Sequence, residues 1–319
     1  MIHSASPRIV FASLLAAAFA GVGAAGTLPA QERERATYRT RLDTTVSIAR
    51  DGTVELSLVS GEIVVTGSDR RDVSISAYSE YGLLELDATQ SRVTLNVRHH
   101  DERSRRGRFG DTHYDVRVPA GTRVEVHSVS GDVSVTGTRS MVEAGSVSGE
   151  VVVVDAAGRV SASSVSGDVR VDHVKGDIRG STVSGELDVE EVSGDLELET
   201  VSGEISVRSA KAGFVRASST SGEILYRGSI DAAGRYDFSS HSGDVRLEIP
   251  ENTNAVVSVE TFSGSLESDF PVRLERGVRT AGRPKRLEFT IGNAQGKTAR
   301  ISAETFSGSV VLSSGREDQ

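Results

Sequence analysis

An acidic residue follows almost every glycine of a Ser-Gly repeat in this sequence. The acidic column consists of Asp132, Glu150, Asp168, Glu186, Glu204, Glu223 and Asp244. If equivalent residues of successive repeats stack, the carboxylates stand about 4.8 Å apart, and a cation with oxygen ligands could relieve their repulsion. The repeat lacks the paired glycines of the calcium-binding nonapeptide motif and mixes Asp with Glu. We therefore favour acids on solvated turns, with Ser130, Ser148 and Ser166 capping the backbone, and predict no metal site and no cofactor.

A basic segment between two predicted strands is the other concentration of chemically active side chains. It contains Arg98, His99, His100, Arg103, Arg105, Arg106 and Arg108. Guanidinium and imidazole groups on one loop could bind an anionic lipid headgroup, a sugar phosphate or a metal. Acidic residues are interspersed, and a loop charged only for solubility is the alternative. The segment is the candidate anionic-ligand loop of this sequence.

The sequence gives little support for catalysis. The chain has no cysteine, which excludes disulfides, thiol catalysis, iron-sulfur clusters and cysteine-based zinc sites. Serine is abundant because of the repeats, and none lies in a nucleophile elbow. A polysaccharide-active β-helix enzyme is the minor alternative, but short coils leave little room for its cleft. The sequence predicts a protein that is not an enzyme and has no catalytic residues.

The glycines of the Ser-Gly repeats recur along the chain, and the first eight are nearly evenly spaced. They are Gly131, Gly149, Gly167, Gly185, Gly203, Gly222, Gly243, Gly264 and Gly308. The first five recur at a spacing of 18, and the next three follow at spacings of 19, 21 and 21. Self-similarity of this kind is typical of a solenoid. We expect each of these turn glycines to supply the positive φ of a tight corner.

Aliphatic residues alternate with polar ones around each turn glycine. They occupy the positions two and four residues after it, and Val129, Val147, Val165, Val183 and Val201 occupy the position two residues before it. Period-two alternation of β-branched residues predicts strands with one buried face. A weaker register of glycines halfway through the repeat predicts two strands per coil, each roughly five residues long. Open solenoid ends expose unpaired strand edges, so we expect covers at both ends.

Four regions follow from the patterning of the chain. In residues 1–30, His3 and Arg8 precede a short apolar run, which predicts a secretory signal peptide cleaved near Ala30 or at residues 24–26. An uncleaved N-terminal anchor is the alternative. Residues 31–120 read as an N-terminal β cap and 121–270 as the repeat core. Residues 271–319 read as a C-terminal hairpin, a last repeat and a disordered tail.

Several ordered motifs carry a resemblance to a known family. They are the Thr/Val-Ser-Gly-Asp/Glu repeats, Val118–Thr122, Leu247–Pro250 and Glu304–Gly308. Over residues 40–315 the chain resembles the bacterial "putative adhesin" β-strand-repeat family. The resemblance implies a right-handed solenoid in exported or envelope-associated proteins, some linked to envelope stress, and no established catalytic residues. The expected fold is an all-β, single-stranded right-handed β-solenoid with 18–21-residue coils, capped by N-terminal β strands and a C-terminal hairpin.

The functional expectation combines this resemblance with the charge. A net charge of -9 and a pI near 5.4 argue against a nucleic-acid partner. We expect an exported, non-catalytic binding or adhesion-like module in the periplasm, the cell envelope or outside the cell. Its partner would be an envelope polymer, a surface or a protein, and peripheral membrane association stays open. The alternative is a structural or stress-linked envelope component that acts by self-association.

Overall fold

The computed structural model describes residues 40–80, 82–99, 111–271, 285–292 and 297–315. These residues form twenty-two β-strands in one continuous sheet and contain no helix. The predicted all-β class is confirmed. Within the described ranges, no helix is long and apolar enough to cross a membrane. The predicted signal peptide, most of the basic segment and residues 316–319 lie outside the described residues.

The strands are short in the middle of the chain and longer towards its ends. The first eleven are β1 (Arg41–Ser47), β2 (Thr53–Ser68), β3 (Asp72–Ser79), β4 (Gly82–Ala88), β5 (Arg92–His99), β6 (Thr112–Pro119), β7 (Arg123–Thr136), β8 (Val142–Gly145), β9 (Val151–Val154), β10 (Val160–Ser163) and β11 (Val169–Asp172). The other eleven are β12 (Ile178–Thr182), β13 (Leu187–Glu190), β14 (Leu196–Thr200), β15 (Ile205–Ser219), β16 (Ile224–Ser240), β17 (Val245–Pro250), β18 (Ala255–Thr261), β19 (Leu266–Ser268), β20 (Lys285–Ile291), β21 (Ala299–Thr305) and β22 (Val310–Gly315).

The central strands form two parallel rows, and the chain alternates between them. In the first row β8, β10, β12 and β14 pair in sequence, so that Val160 lies between Val142 and Ile178. In the second row β9, β11 and β13 pair in the same way. Each of these pairs joins residues 18 positions apart in the chain. One pass through both rows is one coil of a β-solenoid.

The core lies between the two rows and is built mainly from small aliphatic side chains. Every second residue of a strand points inwards, so valine lies on valine in successive coils. Aromatic side chains enter the core where the coils become longer. In the first row, for example, Leu196 pairs with Val215, and Val215 pairs with Tyr236 in the next coil. The rings of Tyr226 and Phe238 pack there with centroids 5.3 Å apart. Larger side chains thus fill the wider cross-section.

Buried hydroxyl groups join each turn to the coil before it. The Ser146 hydroxyl accepts a hydrogen bond from the Gly149 amide (2.9 Å) and donates one to the Gly131 carbonyl (3.0 Å). Ser164 and Thr182 repeat this double contact one and two coils later. Side chains three residues before the glycine therefore close the turn. The prediction that the exposed serines directly before the glycine cap the backbone was wrong.

The turn glycines are required by close packing between coils and not by their φ angles. A Cβ atom on Gly149 would lie 2.1 Å from the carbonyl oxygen of Gly131, and one on Gly167 would lie 2.0 Å from that of Gly149. None of the nine turn glycines has a positive φ. Left-handed φ angles of 49–53° occur instead at Asp155, His173, Glu191 and Ser209, at the opposite corner of the coil. The predicted reason for glycine was therefore wrong.

Antiparallel strands close the N-terminal end of both rows. β2 forms a coil of its own, in which Gly61 lies opposite Gly131 of β7. Its two halves pair in parallel with β5 and β6. β4 pairs antiparallel with the far edge of β5. In the other row, β3 pairs antiparallel with β6, and β1 pairs antiparallel with β3. The change to antiparallel pairing ends the repeating stack.

At the C-terminal end, the last repeat is inserted between earlier ones. β21 lies between β16 and β18, and β22 lies between β17 and β19. β20 adds antiparallel to the far side of β18 and, among the described strands, does not pair with β21. The expected C-terminal hairpin is therefore replaced by an antiparallel pair of β18 with β20. β18 lies between β20 and β21, so these two consecutive strands do not meet.

Replacing a turn glycine with alanine should destabilise the solenoid. In Gly167→Ala the new methyl group would meet the Gly149 carbonyl at 2.0 Å, so coils must separate. We expect a loss of about 1–3 kcal/mol or more, as for other overpacked sites, measured by urea unfolding. Gly213→Ala is the matched control, because its Cβ would come no closer than 3.8 Å to a neighbour. Equal losses in both variants would contradict this role for the turn glycines.

Candidate binding surface

The residues two positions before the nine turn glycines are exposed and form a continuous ladder. Five of them are valines. They were predicted to be buried, but 42–46% of the surface of each is accessible, because the chain leaves the strand at the buried hydroxyl and turns outwards. We call this ladder the ridge. In spatial order it comprises Val129, Val147, Val165, Val183, Val201, Thr220, His241, Phe306 and Phe262. Backbone hydrogen bonds fix the order, as when the Ser148 amide donates to the Val129 carbonyl (2.9 Å).

The ridge ends in three stacked aromatic rings. The His241 and Phe306 rings are 4.9 Å apart and inclined by 10°, and the Phe306 and Phe262 rings are 4.8 Å apart and inclined by 4°. Phe306 stands between two residues that precede it in the chain, because the last repeat is inserted. Sequence reasoning missed this cluster. The available signal was that each ring lies two residues before a repeat glycine.

The ridge accounts for most of the exposed apolar surface. Of the eight large hydrophobic residues that are exposed in the described part of the chain, seven belong to the ridge, and Tyr78 is the other. Single exposed apolar residues are common on soluble proteins, whereas a contiguous apolar patch marks an interaction surface. The ridge is therefore the candidate binding surface of this protein.

The predicted acidic column runs beside the ridge, and its Asp and Glu residues have different roles. The carboxylates of Asp132 and Asp168 accept hydrogen bonds from the backbone amides of Glu150 (2.9 Å) and Glu186 (2.8 Å) in the next coil. Asp244 does the same for Ser309 (2.8 Å). The glutamates make no such contact among the described residues. The aspartates thus connect coils, while the glutamates leave their charge at the surface.

Charge compensation divides the acidic column into two parts. Arg246 pairs with Glu223 and places Nη2 3.5 Å from Oδ2 of Asp244, beside the aromatic end of the ridge. The other five carboxylates, at Asp132, Glu150, Asp168, Glu186 and Glu204, form no ion pair with a described residue. They flank the valine part of the ridge. Uncompensated negative charge therefore accompanies the aliphatic surface.

Glu204 stands between two other glutamates of the column, Glu186 and Glu223. Partial burial raises the pKa of its carboxyl group, and the neighbouring charges of Glu223 and Glu186 raise it further. Ionising Glu204 is therefore less favourable in the folded chain than in the unfolded one. Within the described residues, no group of three or more His, Asp or Glu side chains is arranged to hold a metal ion.

The other predicted site is mostly outside the described residues. Of the candidate anionic-ligand loop, only Arg98 has a described side chain; it is exposed, and its Nη2 lies 3.6 Å from Oε2 of Glu85. His99 contributes the last backbone position of β5. His100, Arg103, Arg105, Arg106 and Arg108 lie outside the described residues. That loop stays a prediction.

An open cleft of about 690 Å³ lies at the corner opposite the ridge. Its charged lining residues are Lys175, Lys211, Arg227, Glu191 and Glu248. The Nε atom of Arg227 lies 3.5 Å from Oε2 of Glu248, so charges of opposite sign partly cancel there. The cleft therefore lacks the single sign of charge that would select one kind of ionic ligand.

Removing the charge of Glu204 should stabilise the protein at neutral pH. Because the pKa of Glu204 is higher in the folded chain than in the unfolded one, the free energy of unfolding falls as the pH rises from the unfolded-state pKa through the folded-state pKa. Glu204→Gln should therefore unfold at a higher urea concentration than the wild type at about pH 7.5, and the difference should disappear at about pH 3.5, where the carboxyl is protonated in both states. Glu199→Gln, outside the acidic column, controls for the loss of one charge. A difference that persists at the acidic pH would contradict this explanation.

Among known proteins, one family model and three distantly similar solved structures match this chain. The family model described as Toastrack DUF4097 matches residues 53–313. No curated protein matches the chain. A putative adhesin from Bacteroides fragilis is 13% identical, with a TM-score of 0.41 and coverage of 85% of this chain and 96% of that one.

Two further structures are similarly remote. A putative lipid binding protein from Parabacteroides distasonis is 12% identical, with a TM-score of 0.35 and coverage of 86% of this chain and 96% of that one. A putative cell adhesion protein from Clostridium sporogenes is 8% identical, with a TM-score of 0.22 and coverage of 86% and 100%. All three TM-scores are below 0.5, so the similarity is remote.

Proposed function

Because the chain belongs to the Toastrack DUF4097 family, we propose that it is an exported, non-catalytic binding module of the bacterial cell envelope that holds its partner along the ridge. Membership confirms the resemblance to a β-strand-repeat family that the sequence motifs predicted. The observation that carries the proposal is the concentration of seven of eight exposed large hydrophobic residues of the described chain in one ladder. Apolar surface on this scale is stabilised when a partner covers it.

The shape of the ridge favours an elongated partner. Nine ladder positions at the spacing of stacked strands extend over about 38 Å. Small-molecule sites are concave and enclose most of their ligand, whereas the ridge is an outward-facing corner. A polymer chain, a surface or a segment of another protein fits such a line better than a small molecule does.

The polar groups that could have served catalysis are used for the fold. The buried hydroxyls of Ser146 and Ser164 are bound to backbone groups of neighbouring turns. The two ring nitrogens of His173 lie 2.8 Å from Asp172 and 3.0 Å from Glu191, on an exposed turn. These contacts support a binding role and not an enzymatic one.

The proposal includes the finer features of the predicted architecture. The solenoid is right-handed and consists of 18–21-residue coils. Residues 1–30 are a signal peptide, 31–120 an N-terminal cap and 121–270 the repeat core, and residues 271–319 complete the C-terminal end. Export of the chain to the periplasm, the envelope or the outside follows from that signal peptide.

Self-association through the ridge is disfavoured by charge. Two copies that met along this surface would bring two rows of uncompensated carboxylates together, in a protein whose net charge is already -9. Like charges directly opposed across an interface oppose association. The binding role is therefore preferred over the alternative of a self-assembling envelope component.

Making the ridge more polar should weaken attachment to the envelope. The variant Val147→Thr/Val165→Thr/Val183→Thr keeps β-branched side chains but adds hydroxyls to three exposed ladder positions. We expect about a tenfold or greater loss of co-sedimentation with cell-envelope fractions of the source bacterium, because apolar contact is lost. Val152→Thr/Val154→Thr/Val311→Thr, on the outer face of the second row, is the matched control and should bind like the wild type. If the two variants bind equally well, the ridge is not the binding surface.

Export should be visible in the processing and location of the protein. Mass spectrometry of the protein from its source cells should give an N-terminus near Gln31, in an envelope, periplasmic or extracellular fraction. Recovery of the chain from Met1 in the cytoplasm would refute export. Protease added to intact cells then separates the remaining locations, since an immunoblot for residues 121–270 loses its signal only if the core is outside the cell.

A further inference from the structure

We propose that the segment bound along the valine part of the ridge, from Val129 to Val201, is a basic amphipathic helix of another polypeptide. This inference rests on the proposed function and adds the chemistry of the partner. Three features carry it: the charge beside the valines, the spacing of the coils and the pairing of the backbone groups along the valine part of the ridge.

The charge beside the valines differs on the two sides of the ridge. On one side stand five carboxylates without a described ion-pair partner, from Asp132 to Glu204. On the other side, the outward positions of the first row are small and neutral beside the three middle valines, at Gly145, Ser163 and Ser181, and this line of positions ends in His127 and Glu199. A partner can therefore approach closely over the small residues while its cations reach the acids. Apolar contact with flanking positive charge is the complement of this surface.

The spacing of the coils suits a helix lying along the solenoid axis. The five valines extend over about 19 Å at the spacing of stacked strands, which corresponds to about 13 residues of α-helix. One helical turn rises about 5.4 Å, close to the spacing of about 4.8 Å between coils, and flexible Lys and Arg side chains absorb the difference. Side chains on one face of an extended strand are about 6.8 Å apart and match the valines less well.

The backbone along the described ridge is already paired between coils, which disfavours strand addition. Amides of Ser148, Ser166 and Ser184 donate to the carbonyls of the preceding ladder valines at 2.9 Å. Addition of a peptide strand requires an edge with unpaired amides and carbonyls. A partner at this corner must therefore bind through its side chains, which is how an amphipathic helix binds.

The same acids act against the other classes of partner. Phosphate groups of nucleic acids, anionic lipid headgroups and a second copy of this acidic chain would all place negative charge against the carboxylate column. A polycation without apolar residues would leave the valines uncovered. A partner that is both basic and apolar satisfies both surfaces.

A synthetic peptide can test this pairing directly. The probe is an 18-residue Leu/Lys peptide with all leucines on one helical face, and its binding to the full-length mature protein is followed by fluorescence anisotropy. We expect saturable binding that weakens as salt is added, since exposed charge pairs are screened. A Leu/Glu peptide of the same pattern and a scrambled Leu/Lys peptide should not bind. Equal binding of the scrambled peptide would overturn the requirement for a helix.

Two charge variants separate the acidic column from the overall charge of the protein. Glu150→Gln/Glu186→Gln removes two carboxylates that make no described contact with the next coil, and should weaken peptide binding about two- to thirty-fold. Asp51→Asn/Glu267→Gln removes the same charge from exposed positions away from the valine part of the ridge and should leave binding unchanged. Equal weakening in both variants would overturn the proposal, because attraction would then depend only on net charge. Circular dichroism and urea unfolding verify that both variants are folded.

The combined results distinguish this inference from the proposed function. If Val147→Thr/Val165→Thr/Val183→Thr loses envelope binding while the Leu/Lys peptide binds equally to the wild type and Glu150→Gln/Glu186→Gln, the binding module stands and the basic helix is wrong. If envelope binding does not depend on the ridge, the proposed function fails whatever the peptide does. If the ridge variant loses both envelope binding and binding of the Leu/Lys peptide, both proposals are supported.

Discussion

The contact between the turn glycines of successive coils is the constraint on which this structure depends. A methyl group at Gly149 or Gly167 would lie closer to the preceding carbonyl oxygen than any non-bonded contact allows, so the turns stack with no room for a side chain. That distance brings the buried hydroxyl of one coil within reach of the glycine carbonyl of the previous coil. It also directs the residue after the hydroxyl outwards, which creates the ridge. The fold and the candidate binding surface thus have one origin.

The sequence predicted what depends on its period and missed what depends on where the chain turns. The stacking register, the all-β class and the buried columns after each glycine follow from the repeat alone. Alternation could not show that two consecutive residues, such as Val147 and Ser148, both face solvent, because the strand ends at Gly145 and the chain turns after it. A glycine column has several physical causes, and only coordinates distinguish close packing from a left-handed φ. The exposure of the valines depended on that distinction.

The candidate site was partly visible in the sequence. The acidic column was found, and its mixture of Asp and Glu, which spoke against calcium, is explained by the shorter side chain reaching the backbone of the next coil. The stacked rings of His241, Phe306 and Phe262 were not found, because their order in space differs from their order in the chain. No local pattern reports the insertion of a late strand between two earlier ones. Such long-range pairing is the part of a fold that a repeat cannot encode.

The inserted last repeat has a consequence for how the molecule is made. β16 and β17 cannot have β18 and β19 as neighbours in the finished stack, because β21 and β22 occupy the place between them. A chain that emerges from its amino end can wind coil upon coil only as far as β17, and must then wait for its final residues. Contacts that join distant parts of a chain form slowly. Completion of the solenoid is thereby coupled to completion of the polypeptide, so a product interrupted late in synthesis would keep an open gap and be exposed to proteolysis.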